Sequence, residues 1–388
     1  MMSEVVGVIG GAGHVGLPLS IMFANAGIKT FVYDKNELLL KKIESGVFPF
    51  KEEDGDLSLK NALKSGNLHL SSRPDVIEYC STLISIIGTP VDDHLNPDPD
   101  SIRRSLEEIQ PFLRDGQLLI LRSTVFPGVT RSIEQFLSQS RIKIDVATAP
   151  ERISEGYAFR ELFEIPQIIG TRTPQVFERA KSLFEFVCKE CCYATPEEAE
   201  LVKLFSNSWR YITFAAANEL YSIALEANED FGKIRSLMMH KYPRAESLPV
   251  PGFAAGPCLP KDSLQLSTYS SQLLSLNSVA YAINENLPNL IIDHLAKTLN
   301  LRDLTIGILG MAFKPQSDDS RFSLSYKLRK LLSFRCKSVL CTDPYVSDQR
   351  FNDLDYVLTT SDLIVIAVDH VVYREIDFKQ TVYRVWNF

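Results

Sequence analysis

The sequence predicts an α/β chain in which two doubly wound parallel-sheet units are joined by a long helix. Three observations point to this. Apolar, β-branched runs alternate with helical patterns up to about residue 170 and strand-like runs return between 304 and 368, the rhythm of parallel sheets covered on both faces. A glycine-punctuated turn links the first strand to the first helix, and the next strand ends in an acid. Between these regions, no Gly or Pro interrupts the stretch from Glu197 to Ala227.

Val5-Val6-Gly7-Val8-Ile9 reads as a buried strand, Gly11-Ala12-Gly13-His14-Val15-Gly16 follows at once, and Leu17 to Ala26 reads as a helix. At this spacing Gly11 permits a tight turn, Gly13 lets backbone approach a pyrophosphate, and Gly16 lets helix pack closely on strand. The helix N-terminus supplies N–H groups and partial positive charge for that phosphate. A second strand, Thr30 to Tyr33, ends on Asp34, whose carboxylate is placed to accept both ribose hydroxyls of NAD and to repel the 2′-phosphate of NADP. A glycine-rich turn without a ligand is the alternative. A strand before, a helix after and an acid 18 residues past Gly16 favour the dinucleotide. Strands at 82–87 and 118–121 then run into Gly88-Thr89-Pro90 and Arg122-Ser123-Thr124, small or hydroxyl residues at the strand ends where open parallel sheets hold ligands. Val91 to Pro99, rich in Asp and Pro, reads as a loop.

Thr195-Pro196-Glu197-Glu198 has the form of a helix start: Thr195 as N-cap, Pro196 at the first position, Glu198 closing a capping box. Leu201, Leu204, Phe205, Ile212 and Ala215 to Ala217 make the helix a largely buried spine. Lys203 and Asn207 stand four apart on one face, so Lys203 is either a solvated helix residue or a buried, functional one. A second helical region covers roughly 263–299. Strand-like runs return at 304–309, 338–342 and 362–368, the second ending in Asp343-Pro344 and the third in Asp369-His370. The first turn of this second unit departs from the glycine pattern and continues from Phe313 to Arg321. Lys314 and Arg321 bracket it as diphosphate ligands or as solvated surface charges.

Gly256-Pro257-Cys258-Leu259-Pro260-Lys261-Asp262 places a cysteine on a Gly/Pro-flanked turn. Lys261 favours the thiolate, and Asp262, four residues on, is a candidate proton carrier. Local chemistry alone leaves Cys258 either a structural loop cysteine or a nucleophile. The chain has 388 residues, seven cysteines and a net charge of −7. The odd cysteine count fits a reducing cytoplasm, and the acidic balance without a basic tract argues against nucleic acid. The N-terminus has no basic region, Lys29 being the first Lys or Arg, so export is not expected, and no stretch reaches the length of a membrane span. Cys188, Cys191 and Cys192 lack a nearby His or second Cys pair and read as incidental thiols, so no metal site is expected.

In order, GAGHVGLPLS after Gly10, GTP at 88–90, STVFPG at 123–128, PERISEG at 150–156, ELVKLFSNSWR at 200–210, NEL at 218–220, PGFAAGPCLPKD at 251–262, GMAFKPQSDDSR at 310–321 and DPYV at 343–346 resemble the UDP-glucose/GDP-mannose dehydrogenase family over nearly the whole chain. The resemblance implies two Rossmann-like domains, 1–195 for NAD and 301–388 for the nucleotide sugar, around a helical dimerisation domain at 196–300. It implies NAD-dependent oxidation of a nucleotide-sugar C6 alcohol to the carboxylate of a uronic acid, through a thiohemiacetal and thioester on Cys258. Lys203 and Asn207 match the oxyanion-stabilising pair, Asp262 the acid/base partner, and Thr124 a water-holding residue. Glu151 and Glu155 match glutamates near nicotinamide and thioester. His14, Val15, Lys35, Thr89, Pro90, Ser123, Thr124, Glu155 and Lys261 join Gly11, Gly13, Gly16 and Asp34 as cofactor residues. Arg244, Phe253, Gly256, Phe313, Lys314 and Arg321 join Lys203 and Asn207 around the substrate, with Arg244 reaching the site of a second subunit in a homodimer. Where the family has Gly-Gly before the cysteine step, this chain has Ala254-Ala255-Gly256-Pro257, which leaves the sugar and base open. A GDP-mannose 6-dehydrogenase and a catalytically inactive nucleotide-binding homologue are the alternatives.

Overall fold

The computed structural model describes residues 4–88, 100–140, 142–269 and 275–386. The chain forms two compact units, 1–205 and 206–388.

The first unit is organised by one eight-stranded sheet. Its strands are β1 (Val5–Ile9), β2 (Lys29–Tyr33), β3 (Leu68–Ser71), β4 (Thr82–Ser85), β5 (Leu118–Leu121), β6 (Asp145–Thr148), β7 (Gln167–Thr171) and β8 (Cys191–Ala194). They lie in the order β3-β2-β1-β4-β5-β6-β7-β8, and β6 against β7 is antiparallel while the other pairs run parallel. Val6, Val8, Ile84 and Ile120 are fully buried because helices cover both faces. The helix Gly16–Asn25 serves two cores, with Leu17 and Ile21 packed beside Leu59 and Ala62, and Leu19 and Phe23 beside Ala180 and Leu183. Each fully buried aliphatic side chain of this kind contributes about 1.5–3 kcal/mol. The strand expected at 82–87 stops at Ser85. β3, β6, β7 and β8 are not anticipated by the apolar pattern, since most of them begin or end on polar residues and run only four or five long.

The spine helix Pro196–Glu226 starts as its sequence dictates. The Glu198 N–H donates to Thr195 Oγ1 at 3.3 Å, and the Thr195 N–H donates to Glu198 Oε2 at 2.8 Å, a reciprocal capping box. The Thr195 N–H, and after it the Thr195 side chain, hold the Glu198 carboxyl below its ordinary range.

The second unit has a four-stranded parallel sheet, β9 (Thr305–Leu309), β10 (Ser338–Thr342), β11 (Leu363–Ile366) and β12 (Thr381–Arg384), in the order β10-β9-β11-β12. The helical region expected at 263–299 is two helices, Leu259–Tyr269 and Leu276–Thr298. Ser275 caps the second by accepting the Ser278 N–H at 3.2 Å. Leu287, Ile291, Ile292 and Leu295 of that helix share a core with Ile306, Ile308 and Val365 of the sheet.

Candidate active site

In the first unit the glycine turn divides its duties by position. Gly10, at φ 71°, takes the left-handed turn, one residue earlier than the spacing suggested. A Cβ on Gly16 would lie 2.6 Å from Gly11 Cα, so these two glycines let the helix settle on the turn. A Cβ on Gly13 would meet nothing within 4 Å. Gly13 therefore leaves the backbone of the turn open to approach, and the turn fits a dinucleotide pyrophosphate. Asp34 ends β2 with Oδ2 accepting the Ala12 N–H at 3.1 Å and Oδ1 accepting the Asn36 N–H at 3.0 Å, which ties the acid to the turn. The His14 ring lies 3.9 Å, centroid to centroid, from that of Phe50, and Val15 is partly exposed beside it. Lys35 is ion-paired to Glu108 at the surface, and that hydrogen bond raises its pKa. Thr89 and Pro90 lie outside the described residues.

Strand β5 leads directly into Arg122, a fully buried guanidinium that sequence reasoning left without a role. It donates to Gln167 Oε1 at 2.8 Å, to the Ala149 carbonyl at 3.2 Å and to Glu151 Oε2, and it stacks over Phe184. Glu151 accepts from the Arg152 and Ile153 N–H groups with its other oxygen, at 2.6 and 2.9 Å. The carboxylate of Glu151 thus anchors its own loop to β5. Glu155, later in that loop, is partly exposed. Glu52 pins the end of the same loop, accepting the Gly156 and Ala158 N–H groups at 2.9 and 2.6 Å. Ser123 donates to the Ile87 carbonyl at 2.5 Å, and Thr124 follows it, partly exposed. Lys203 is 8% exposed on the spine helix, which favours the buried of its two readings.

In the second unit, Cys258 is exposed immediately before the first residue of the helix Leu259–Tyr269. The turn expected through Asp262 is thus already helical from Leu259, and Lys261 and Asp262 form its first turn. A thiolate there gains the partial positive charge of a helix N-terminus in addition to Lys261. None of the seven cysteines is in a disulfide. Asp262 is fully buried, with Oδ2 accepting from Asn207 Nδ2 at 2.6 Å and Oδ1 3.7 Å from Lys261 Nζ. Asn207, Asp262, Lys261 and Cys258 are therefore one local constellation.

Gly256, at φ 98°, is required twice, since a Cβ there would also lie 2.6 Å from the Phe313 ring. Phe253 is 2% exposed in the core, so its side chain is a packing element. Its loop is fixed by Asn218, which accepts the Gly252 N–H at 2.8 Å and donates to the Gly252 carbonyl at 3.1 Å. Lys314 lies over the Phe313 ring at 5.7 Å, and Arg321 makes a two-pronged ion pair with Asp319. Arg244 is exposed and stacks on Tyr242.

The turn after β9 repeats the first unit's design with a different outcome. Gly310, at φ 92°, takes the place of Gly10, and Asp343 at the end of β10 takes that of Asp34. Asp343 Oδ2 accepts the Met311 and Ala312 N–H groups at 2.6 and 3.0 Å, and Oδ1 those of Tyr345 and Val346 at 2.8 and 2.9 Å. His370 Nδ1 accepts the Gln316 N–H at 3.1 Å, so its Nε2 carries the proton donated to Asp343 at 3.2 Å. With this acid fully engaged and Phe313 where the first turn has Gly13, the second turn is not a second dinucleotide cradle. Arg122, Glu52, Asn218 and Asp343 each bond to groups tens of residues away or to a turn across the sheet, and no local pattern announces that.

Models of the UDP-glucose/GDP-mannose dehydrogenase family match in three consecutive segments: the NAD binding domain over 4–188, the central domain over 197–286 and the UDP binding domain over 307–387. The chain is similar to a UDP-N-acetyl-D-mannosamine dehydrogenase of Pyrococcus horikoshii, 30% identical over 95% of this chain and 90% of that one. It is also similar to a UDP-N-acetyl-D-mannosamine dehydrogenase of Methanocaldococcus jannaschii, 32% identical over 95% of this chain and 86% of that one. Among solved structures, that of the UDP-D-ManNAc dehydrogenase from Pyrococcus horikoshii superposes with a TM-score of 0.89 at 30% identity, covering 96% of this chain and 91% of the other.

Proposed function

The chain belongs to the UDP-glucose/GDP-mannose dehydrogenase family of NAD-dependent nucleotide-sugar dehydrogenases, and we propose that its own substrate is a UDP-N-acetylhexosamine, UDP-N-acetyl-D-mannosamine first among them. The names of the relatives similar over nearly full length support that choice. The observation that carries the chemistry is Cys258 at a helix N-terminus with Asp262 in its first turn, held by Asn207.

NAD⁺, when bound, supplies the hydride acceptor for each of the two oxidations. Gly11, Gly13, Gly16 and Asp34 would hold it, with His14, Val15, Ser123 and Thr124 along its path. In the first oxidation the C6 alcohol loses a proton and a hydride and becomes an aldehyde. The Cys258 thiolate adds to the aldehyde carbon, and the oxygen takes up a proton or is stabilised as an oxyanion by Lys203 and Asn207. Loss of the C6 hydride from this thiohemiacetal, together with the hydroxyl proton where the oxygen has taken one up, leaves a thioester. Water then attacks the acyl carbon and gives up its protons, the C–S bond breaks, and the carboxylate leaves with the Cys258 thiolate restored; Asp262 is assigned to the proton transfer and Thr124 to holding water. Glu155 is assigned to the nicotinamide and thioester. Glu151 contributes by holding the loop through Arg122. Lys314 and Arg321 are assigned to the diphosphate.

Phe205, expected among the buried positions of the spine helix, is instead 55% exposed and opens an apolar stripe on it with Trp209 at 64%, Leu220 at 38% and Ile223 at 57%. Spacings of three, four and sums of them put these on one face, and we assign that face to a second copy of the chain, with Arg244 near the partner's site. No helix among the described residues is long and apolar enough to cross a membrane.

An NAD⁺-reduction screen over UDP-N-acetyl-D-mannosamine, UDP-N-acetylglucosamine, UDP-glucose, UDP-galactose and GDP-mannose tests the substrate. The expected result is the highest kcat/KM with an N-acetylhexosamine and two NADH per sugar. Preference for GDP-mannose, or one NADH per sugar, would overturn the reading.

A further inference from the structure

Glu200 is 1% exposed near the start of the spine helix, and three neutral donors hold its carboxylate. Oε2 accepts the Gly128 N–H at 2.7 Å, and Oε1 accepts the Thr130 N–H at 2.8 Å and the Thr130 hydroxyl at 2.6 Å. Gly128 is the N-cap of the helix Val129–Ser138 and Thr130 lies in its first turn, where backbone amides have no partner within the helix itself. Its positive end suits an anion, and Glu200 supplies one from 70 residues away in the sequence. Gly128, at φ 98°, closes the loop that descends from β5. Ser123 pins the start of that loop to the Ile87 carbonyl. Thr124 therefore sits in a segment fastened at both ends. Lys203 lies three residues beyond Glu200 on the same face of the spine, and it too is buried.

We propose that Glu200 is a positioning residue for the reaction: by gripping the Thr124 loop from the helical turn that carries Lys203, it fixes the placement of Thr124 relative to Lys203. This rests on the roles assigned above to those two side chains. A buried carboxylate with three donors is a rigid link, since losing one bond leaves a desolvated donor or acceptor in its place.

Glu200→Gln retains the shape but has one acceptor oxygen and turns an NH₂ toward backbone N–H donors, so the grip is lost on one side. The expected result is a fall in kcat of about 10- to 100-fold, the scale set by small misplacements of reacting groups. The KM for NAD⁺ should stay within about threefold, because the glycine turn and Asp34 are untouched. Thr130→Val removes only the hydroxyl bond, folds more safely and should shift kcat in the same direction by less. Both changes are then repeated in a Thr124→Val background. If Glu200 acts through Thr124, Glu200→Gln should cost no more than about threefold there. An equal loss in both backgrounds with Thr124→Val itself impaired overturns the positioning role and leaves the reading of Thr124 intact. A Thr124→Val enzyme of wild-type kcat overturns that reading and this proposal with it. A Glu200→Gln enzyme that only melts earlier, at unchanged kcat, reduces Glu200 to a stability element.

Discussion

Single residues in this chain separate cofactor binding from folding. A methyl group on Gly13 would enter open space, whereas one on Gly16 would strike the backbone of Gly11. Gly13→Ala is therefore expected to leave the melting temperature unchanged and weaken NAD⁺ binding at least about tenfold, since the backbone can no longer approach a pyrophosphate. Gly16→Ala should destabilise by about 1–3 kcal/mol through overpacking. Thermal melts and NAD⁺ titrations of the two variants check the contrast. Asp343 is the second residue-scale lever. Burial would raise its carboxyl, but the His370 N–H and the Val346 and Tyr345 amides outweigh that and hold it below the ordinary range. A folded-state value below the unfolded one means stability that is present at neutral pH and is lost as pH falls below about 4. Asp343→Asn should cost about 1.5–3 kcal/mol at pH 7 through weakened hydrogen bonds to a charged group, and the gap from wild type should narrow as pH falls below about 4. Urea midpoints across that range measure it. A gap that stays constant with pH would show that the carboxylate's charge is not what these donors hold.

At the scale of elements, the sequence announces what is local. The turn Gly11–Gly16, the strand running into Asp34 and the capping box of Thr195 and Glu198 are each written within a few residues, and each forms where its pattern puts it except that the left-handed residue of the turn is Gly10. The short strands β6, β7 and β8 are not announced, because their pairing depends on distant strands and none carries a long apolar β-branched run. The helix Leu259–Tyr269 starts earlier than Gly256-Pro257-Cys258 suggests, since Pro260 suits the first turn of a helix as well as a loop. That shift changes the chemistry read from Cys258, which gains a helix N-terminus. The exposed stripe on the spine helix yields a prediction of its own. Trp209→Glu combined with Ile223→Glu puts charge into the proposed contact, and light scattering at micromolar concentration should show a monomer where the parent chain is a dimer. A monomeric parent with full activity would contradict the assignment of that face.

Across the whole molecule, the order of motifs was enough to identify the family and the two nucleotide-fold sheets, because that order reflects how successive strand–turn–helix units supply ligands. Which residues hold the loops after β5 and β6 in place is not readable from the sequence. Arg122, Glu151, Glu52 and Glu200 act by long-range hydrogen bonds, and their residue types alone suit solvated surface or catalysis equally well. The central claim is covalent catalysis at Cys258, and Cys258→Ser tests it most directly. Serine changes the volume little but is almost never ionised at neutral pH. NAD⁺ binding should persist, and steady-state NADH formation with the preferred UDP-N-acetylhexosamine should fall by several orders of magnitude because the thioester route is closed. NADH formation near the wild-type rate, at two NADH per sugar, would contradict the account.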